Sequence, residues 1–251
     1  MTERDPAYLS VHSVSKRFGG LLAVGDASFT VEEGSITGLI GPNGAGKTTM
    51  FAIVSGFEKP TSGKVLWRGE EITGRPPHLL ARDGIARTFQ IVQPFAGLSV
   101  RENIAAGAFL RHRRRPDAIA LAEQVAARVG LAADLDKPAA ALTVSGRKRV
   151  ELAKALATQP KLLLLDEVLA GLNPSEVRDI VPVIRAIRDG GVTVLMIEHV
   201  MQAVMNLCDF VHVLAQGRII ASGTPAEVVR DTAVIEAYLG QGAATRLASH
   251  A

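Results

Sequence analysis

The spacing of apolar and polar positions divides the chain into three regions of different predicted secondary structure. Short β-rich runs separated by glycine turns come first, and a stretch rich in Ala, Leu, Arg and Glu over about 100–157 favours helices. Strands and helices alternate afterwards. The predicted strands lie around Leu9, Val11 and Val14 and at 27–31, 36–40, 64–67, 71–72, 162–165, 192–197, 210–214 and 218–221. The predicted helices begin at Lys47 after Gly46, recur within 100–157, and cover 175–188 and 200–207.

Two of the predicted strands, 162–165 and 194–197, are uninterrupted apolar runs. Such runs are typical of parallel strands that helices cover on both faces, because no position along them faces water. The sequence therefore predicts an α/β protein with a parallel sheet and a helical region inserted before residue 162.

Composition narrows the class of protein. Hydrophobic residues make up 47% of the 251 positions, and the mean hydropathy is +0.21. That content excludes intrinsic disorder. No uncharged run reaches the ~18 apolar residues that a membrane span needs. We therefore expect the apolar excess to lie in a large buried sheet, on a partner surface, or in both.

Charge and cysteine content exclude further classes. The chain has 28 basic and 25 acidic residues, a net charge of +3, so we expect no nucleic-acid partner bound through bulk electrostatics. The single cysteine, Cys208, excludes an internal disulfide and a multi-cysteine zinc site. The first five residues carry no apolar leader, so a cytosolic location is the expectation.

The strongest chemical signal is a complete G-x4-G-K-[ST] phosphate-binding loop between a predicted strand and a predicted helix. Backbone N–H groups of such a loop and the helix N-terminus bind phosphate oxygens. We expect Lys47 to reach the β- and γ-phosphates of a bound nucleotide and the Thr48 hydroxyl to hold Mg²⁺. A glycine-rich turn with no ligand is the alternative. The predicted nucleotide contacts are Gly41, Pro42, Asn43, Gly44, Ala45, Gly46, Lys47, Thr48 and Thr49.

A second signal is an apolar strand that ends in two acids, Asp166 and Glu167. Ligands in open α/β sheets bind at the carboxyl ends of strands, where these side chains lie. A nucleotide-hydrolysing site needs a further Mg²⁺ contact and a group that orients water. We expect Asp166 to act on Mg²⁺ and Glu167 to polarise the attacking water. Without the phosphate loop, an apolar strand ending in two acids would be unremarkable.

Together the two motifs resemble those of the ATP-binding subunits of ABC transporters, and the likeness covers roughly residues 9–240. It implies an α/β P-loop NTPase fold, with a RecA-like core, an N-terminal antiparallel β-subdomain and an inserted helical subdomain. It also implies one cassette domain over 1–251. Its core and β-subdomain would be 1–90 and 159–240, its helical subdomain with the signature motif 91–158, and its tail 241–251.

The resemblance assigns roles to further residues. Phe18 lies where the family stacks adenine on an aromatic ring. Gln90 lies at the Q-loop glutamine, which senses Mg²⁺ and the transmembrane partner, and His199 lies at the switch histidine. The segment 170–173 lies at the D-loop. Each residue taken alone has an ordinary alternative: a core aromatic, a surface glutamine and a structural histidine.

The signature motif departs from the family pattern. Where the family has a Leu-Ser-Gly-Gly-Gln-like sequence, this chain has Leu142, Thr143, Val144, Ser145 and Gly146. The resemblance implies that Thr143, Ser145 and Gly146 meet the nucleotide held by a second ATPase subunit. The loss of the glycine pair leaves open whether this signature is fully active. We expect a heterodimer with a different ATPase chain, the alternative being a homodimer.

The pattern is most similar to the ATPases of branched-chain amino acid importers. Relatives that handle urea, short amides or lipopolysaccharide share much of it. The resemblance implies transmembrane permease subunits as partners and a peripheral location on the cytoplasmic face of the inner membrane. The motifs that carry this likeness are Phe18 to Leu21, Ala170 to Pro174, Ile197 to His199, and Gly217 to Pro225.

Two surfaces keep two interpretations each. The run 93–100, with Phe95, Leu98 and Val100, is either the apolar start of a helix or a groove for a permease segment. The basic run 111–115 is either a solvated helix end or a contact for anionic lipid headgroups. The sequence assigns no role to the tail beyond Gly240.

Two other protein classes fit less well. Soluble ABC ATPases that act on ribosomes or DNA usually carry two cassettes or a long coiled-coil insertion, and the interval between Gln90 and Leu142 is too short for one. Phosphotransferases of the P-loop class must exclude water, which leaves Glu167 and His199 without a use. GTPases carry an Asn-Lys-x-Asp motif that this sequence lacks.

Overall fold

The computed structural model describes residues 7–90 and 94–239. The strands in these ranges are β1 (Leu9–Phe18), β2 (Leu21–Val31), β3 (Ile36–Ile40), β4 (Ser62–Trp67), β5 (Glu70–Glu71), β6 (Ile85–Arg87), β7 (Leu162–Asp166), β8 (Thr193–Ile197), β9 (Phe210–Ala215) and β10 (Arg218–Gly223). The helices are α1 (Lys47–Val54), α2 (Pro77–Asp83), α3 (Val100–Ala108), α4 (Arg115–Arg128), α5 (Val144–Ala157), α6 (Pro174–Asp189), α7 (Met201–Leu207), α8 (Pro225–Val228) and α9 (Thr232–Leu239). Short 3-10 turns lie at Ala132–Asp134 and Ala139–Ala141.

The described residues form two compact units, the first of which comprises 7–77 and 195–239. It contains an antiparallel sheet in the order β2-β1-β4-β5, with Leu9 opposite Val31 on one side and opposite Trp67 on the other. The glycine pair between β1 and β2 forms the turn that the sequence predicts, although β1 and β2 extend further towards it than predicted.

The first unit also carries the parallel pair β3 and β9, with β10 antiparallel to β9. Every residue of β3 is buried, as its apolar run predicts. The Asp209 carboxylate accepts the Ile36 N–H at 2.8 Å, which fixes the start of β3 beside β9. Because β3 leads into the predicted phosphate loop, this pairing sets where the loop begins.

The second unit comprises residues 78–194 and combines a short parallel pair with a helical layer. Strand β6 pairs with β7, with Ile85 opposite Leu162 and Arg87 opposite Leu164. Strand β7 is buried throughout. Among the described residues 94–158 the named elements are all helical, as the texture of the sequence predicts. The assignment of 91–158 as a separate subdomain stays a prediction.

Helix α3 begins at a capping box in which Ser99 and Glu102 bond each other's backbone N–H. In front of it, Asn103, which is fully buried, accepts the Phe95 N–H at 2.8 Å and donates to the carbonyls of Phe95, Leu98 and Ser99. This clamp leaves Phe95 and Leu98 exposed and Val100 buried. The interpretation of 93–100 as a surface is therefore wrong for Val100, and Gln93 lies outside the described residues.

The basic run 111–115 does not act as one solvated patch, because its first residue binds the protein backbone. The Arg111 guanidinium donates to the carbonyls of Thr158 at 2.8 Å, Arg82 at 2.7 Å and Ala81 at 3.2 Å. These carbonyls end α5 and α2, whose last turns lack intrahelical partners. Arg111 thus holds two helix ends, and the choice between solvent and headgroups stays open only for 112–115.

No helix in the described ranges has both the length and the hydropathy of a membrane span. The tail 241–251 lies outside the described residues.

Candidate active site

The predicted phosphate loop lies in the first unit, between the end of β3 and the start of α1. Its first and last glycines have positive φ, +150° at Gly41 and +103° at Gly46. A Cβ at Gly41 would overlap the carbonyl oxygen of Leu214, and one at Gly46 would overlap that of Ala23. Glycine is required at both places because neighbouring backbone fills the space that a side chain would need.

Lys47 closes the loop upon itself. Its ammonium donates to the carbonyls of Gly41 at 2.8 Å and Pro42 at 3.0 Å, and the side chain is buried. Helix α1 begins after Gly46 with no side-chain cap, so its first turn presents backbone N–H groups. Thr48 is exposed and Thr49 is half-buried in this turn. A ring of backbone donors, one lysine and a hydroxyl is a set suited to phosphate oxygens.

Tyr238, in α9, is a neighbour of the loop that sequence reasoning missed. Burial raises the pKa of its phenol, and a hydrogen bond from the Gly41 backbone opposes the shift. No sequence motif links Tyr238 to a loop that lies so far from it along the chain, so the contact with Gly41 is visible only in the structure.

Phe18, the predicted adenine platform, is the last residue of β1 and has 44% of its surface exposed. The Lys16 ammonium lies 4.8 Å from the centre of its ring and is paired with Glu58 at 2.7 Å. An exposed ring with a fixed cation beside it can stack a base, and a core role for Phe18 is excluded by its exposure.

The predicted acids lie in the second unit at the end of β7. Asp166 is 3% exposed, and its Oδ2 accepts from the Arg87 guanidinium at 2.7 Å. The Asp166 N–H donates to the Thr88 hydroxyl at 3.1 Å, and the Thr88 N–H bonds the Leu164 carbonyl. The position of this acid is therefore set by the strand pairing of β6 with β7 and by the adjacent Thr88.

Glu167 adopts a left-handed backbone conformation, with φ +49°, directly after β7. The Gln90 amide donates to its Oε2 at 2.6 Å. The structure thus brings together two residues, Gln90 and Glu167, that the sequence predicts to act in one site. Non-glycine residues with positive φ are uncommon and cluster at functional sites.

Lys148 supports the same segment from α5. Its buried ammonium donates to the carbonyls of Glu167 at 3.1 Å and Val168 at 3.2 Å. A cavity of about 10 Å³, room for about one water, lies here. The residues that line it are Thr88, Phe89, Lys148, Glu151, Asp166, Glu167 and Val168.

Sequence reasoning missed the roles of Arg87, Thr88 and Lys148 around the acids. The signals were present but weak. Arg87 and Thr88 directly precede Phe89 and Gln90, and Lys148 lies in the helix that follows the altered signature. Because these contacts join residues far apart in sequence, spacing alone does not reveal them.

The altered signature lies at the start of α5, as predicted. Thr143 is the N-cap of this helix, and its Oγ1 accepts the Gly146 N–H at 3.1 Å. Ser145 is buried in the first turn. The segment therefore keeps the helix start that the family uses, with Thr143 as its cap.

His199 lies exposed in the first unit, two residues beyond the end of β8, and the Glu198 between them is buried. Its catalytic role stays a prediction.

Magnesium fits the donors that the chain offers. Among the described residues there is no group of three His, Cys, Asp or Glu side chains that could hold a metal ion by themselves. Mg²⁺ usually binds through one or two protein oxygens together with phosphates and waters. The carboxylate of Asp166 and the exposed hydroxyl of Thr48 are oxygens of this type.

Comparison with known proteins decides the family. The sequence model of the ABC transporter family matches residues 24–170. The chain belongs to this family. The family model of the branched-chain amino acid ATP-binding cassette transporter matches residues 218–244. The fold predicted from the sequence, an ABC cassette, is confirmed.

Full-length relatives support the same assignment. The high-affinity branched-chain amino acid transport ATP-binding protein BraF of Pseudomonas aeruginosa is 40% identical over 249 residues, covering 93% of this chain and 98% of BraF. LivG of Escherichia coli K12, of the same description, is 38% identical with the same coverage. The lipopolysaccharide export system ATP-binding protein LptB of Haemophilus influenzae is 37% identical over 238 residues, covering 93% of this chain and 97% of LptB.

Solved structures agree. A crystal structure of a nucleotide-free ATP-binding cassette from an ABC transporter is 31% identical and superposes with a TM-score of 0.86, covering 94% of this chain and 100% of that one. The ADP conformation of MJ1267, an ATP-binding cassette of an ABC transporter, gives the same values. This chain is an ABC ATP-binding subunit similar to those of branched-chain amino acid transport.

Proposed function

We propose that this ABC subunit hydrolyses ATP to ADP and phosphate and so powers solute import. The observation that carries the proposal is the pairing of Gln90 with Glu167 at 2.6 Å beside the buried Asp166, in a chain that also has a complete phosphate loop. Phosphoryl transfer to water needs phosphate contacts, a metal ligand and a group that orients the water. The chain carries a candidate for each.

In the proposed mechanism the loop N–H groups and Lys47 bind the phosphates, and Phe18 stacks the adenine. Asp166 and the Thr48 hydroxyl would hold Mg²⁺, with Gln90 as a further ligand. Bound Mg²⁺ supplies positive charge that offsets charge developing on the transferred phosphoryl group. Glu167 accepts the proton of the attacking water. Gln90 holds the Glu167 carboxylate in position, and His199 completes the site as the switch histidine.

We infer that the transported solute is a branched-chain amino acid. The match of residues 218–244 to the branched-chain amino acid cassette favours it over lipopolysaccharide, the cargo named for the LptB relative. The partners would be transmembrane permease subunits, and the chain would lie on the cytoplasmic face of the inner membrane. The exposed Phe95 and Leu98, clamped by Asn103, are candidate permease contacts.

We also propose that two cassettes act together, each completing the other's site with its signature. Thr143, Ser145 and Gly146 would then meet the nucleotide of the second subunit. Because the altered signature would act on that partner's nucleotide, a homodimer would carry the change twice and a heterodimer once. We therefore propose a heterodimer with a different ATPase chain.

Glu167→Gln tests the hydrolytic step. The variant should bind ATP as tightly as the wild type and hydrolyse it about 100-fold or more slowly, because the amide cannot accept the water's proton. ATP binding is measured with a fluorescent ATP analogue and hydrolysis by phosphate release.

Glu123→Gln is the matched control, since Glu123 is an exposed partner of Arg101 at 3.1 Å. It should retain wild-type hydrolysis. Equal rates in Glu167→Gln and the control would remove Glu167 from the proposed role.

The transport and dimer proposals need the assembled complex. The chain is purified from membranes together with its partners, and its ATPase rate is measured with leucine, urea and lipopolysaccharide as separate additions. We expect stimulation by leucine in the presence of its binding protein. Full-rate hydrolysis by the isolated chain as a homodimer would overturn the heterodimer.

A further inference from the structure

The Arg87 guanidinium is paired with the Asp166 carboxylate, which is the group that the proposed mechanism assigns to magnesium. Its Nη2 lies 2.7 Å from Asp166 Oδ2, and the two side chains are 9% and 3% exposed. The guanidinium also lies over the Phe89 ring, 5.5 Å from its centre. A charge-assisted bond between buried partners is among the stronger contacts in a protein.

We propose that Arg87 is an internal cation that opposes metal binding at Asp166 until a nucleotide arrives. The inference rests on the proposed function, since it takes Asp166 as the metal ligand. In this proposal the Arg87 guanidinium and a divalent cation compete for the Asp166 carboxylate.

The alternative role, that Arg87 positions Asp166 for the metal, is disfavoured by the other contacts of this acid. The Asp166 backbone is held by the Thr88 hydroxyl at 3.1 Å, and Thr88 is fixed by its own bond to the Leu164 carbonyl at 2.9 Å. Strand β7 ends at Asp166 and pairs with β6 up to Arg87. The backbone of this acid therefore keeps its place without the Arg87 side chain, and Arg87 acts on its carboxylate alone.

The charge of Arg87 should weaken the binding of a metal ion at Asp166. A divalent cation that approaches the Asp166 carboxylate meets the positive charge of Arg87 on the same group, and burial weakens the screening by water. The same cavity is lined by the buried Lys148 and by two further carboxylates, Glu151 and Glu167, so its charges are mixed, and Arg87 is the cation bonded to Asp166 itself. A nucleotide brings several negative phosphate charges, which offset this repulsion. Metal binding thus becomes conditional on nucleotide.

The contact also connects the metal ligand to the Q-loop. Arg87 and Gln90 are three residues apart, and they bond Asp166 and Glu167 respectively. One short segment therefore bonds both carboxylates. A displacement of this segment would free the Asp166 and Glu167 carboxylates from these bonds together.

Titration with Mn²⁺, followed by the electron paramagnetic resonance signal of the free ion, tests the proposal in the full chain. Without nucleotide, Arg87→Met should bind Mn²⁺ with a Kd about threefold or more below that of the wild type, because one positive charge beside the carboxylate is gone. With saturating ATP the difference between the two proteins should shrink. The matched control is Arg101→Met, which removes an arginine paired with Glu123 and Asp136 in the same unit and should leave the Kd unchanged.

Asp166→Asn locates the effect. In that background Arg87→Met should no longer lower the Kd, and a persistent gain would show that the metal lies elsewhere. If Arg87→Met does not fold, Arg87→Lys decides, because a single ammonium on a shorter reach should give a smaller shift in the same direction. An unchanged or raised Kd in the folded variant would overturn the inference. Wild-type protein that binds neither ATP nor Mn²⁺ with ATP would instead remove the proposed function.

Discussion

The phosphate loop of the first unit is shaped mainly by backbone contacts, whereas the acidic pair of the second unit is bonded by side chains. The loop takes its shape from backbone, since glycines at Gly41 and Gly46 fit against the carbonyls of Leu214 and Ala23, and Lys47 bonds the loop's own carbonyls. The acids are bonded by side chains from other elements, Arg87 at the Asp166 carboxylate and Lys148 at the Glu167 carbonyl.

This difference explains how each region should respond to substitution. A backbone-built loop depends on space and φ angles, so a single methyl group can disrupt it. A side-chain network depends on hydrogen bonds and charge, so its members can be removed one at a time at moderate cost. Three predictions test the contrast, from the largest expected effect to the smallest.

The largest effect is expected at Gly41. Gly41→Ala places a Cβ against the Leu214 carbonyl at a positive φ, so the loop must move, and we expect a loss of about 3 kcal/mol or more in the free energy of unfolding. Gly44→Ala is the control, because its φ is +77° but nothing lies within 4 Å of the added Cβ. We expect it to cost about 1 kcal/mol.

Urea unfolding of both glycine variants beside the wild type measures the two costs. Similar losses at Gly41 and Gly44 would contradict a loop defined by backbone crowding and would leave only the φ penalty that the two positions share.

An intermediate effect is expected at Lys148. Lys148→Met removes the donors to the Glu167 and Val168 carbonyls, so we expect a loss of about 1–3 kcal/mol in the free energy of unfolding together with slower ATP hydrolysis. Arg147→Met, one position earlier and only half-buried, should change the free energy of unfolding by less than about 0.5 kcal/mol. Equal stability of the two variants would mean that Lys148 does not support the acidic segment.

The smallest effect concerns a buried group next to the loop's own strands. His212 in β9 donates from Nε2 to the Thr30 carbonyl at 2.9 Å, and its Nδ1 pairs with the Ser222 hydroxyl at 2.8 Å. Burial lowers the pKa of this imidazole below 6.5, opposed in part by the bond to Thr30. The folded state therefore favours the neutral ring.

The sign follows from linkage. Since the folded pKa is depressed, the stabilisation is complete above 6.5 and is lost as the pH falls through 6.5 towards the folded pKa. The slope is at most about 1.4 kcal/mol per pH unit. Urea unfolding of the wild type and His212→Gln at about pH 7.5 and about pH 5.5 checks it. An equal pH dependence in both proteins would show that His212 does not titrate as proposed.

Much of the fold was predictable because its elements have strong local signals. The buried runs of β3 and β7 and the helix after Gly46 are all where the sequence places them. Strand β6 was missed because it has three residues, too few for a periodicity. Helices α8 and α9 were also missed, although Thr224 and Glu227 form a capping box at the start of α8.

The phosphate loop and the acidic pair also differ in how far the sequence predicts them. The phosphate loop is a contiguous motif whose chemistry lies in adjacent residues, so spacing alone predicts it. The contacts of the acids come from pairs such as Arg87 with Asp166, which are 79 residues apart and meet only through strand pairing. Single residues carry no such information, because an arginine beside a strand has many ordinary roles.

The altered signature still carries a hydroxyl, that of Thr143, at the start of α5. Its oxygen accepts the Gly146 N–H through a lone pair, whereas its own proton takes no part in that bond. A phosphate oxygen of a nucleotide bound by another subunit could accept a hydrogen bond from this hydroxyl while the Gly146 N–H bond stays in place. The Thr143 hydroxyl would then accept a hydrogen bond from its own helix and donate one to the nucleotide of the other subunit. Loss of the glycine pair would change the shape of this turn and leave its donor intact.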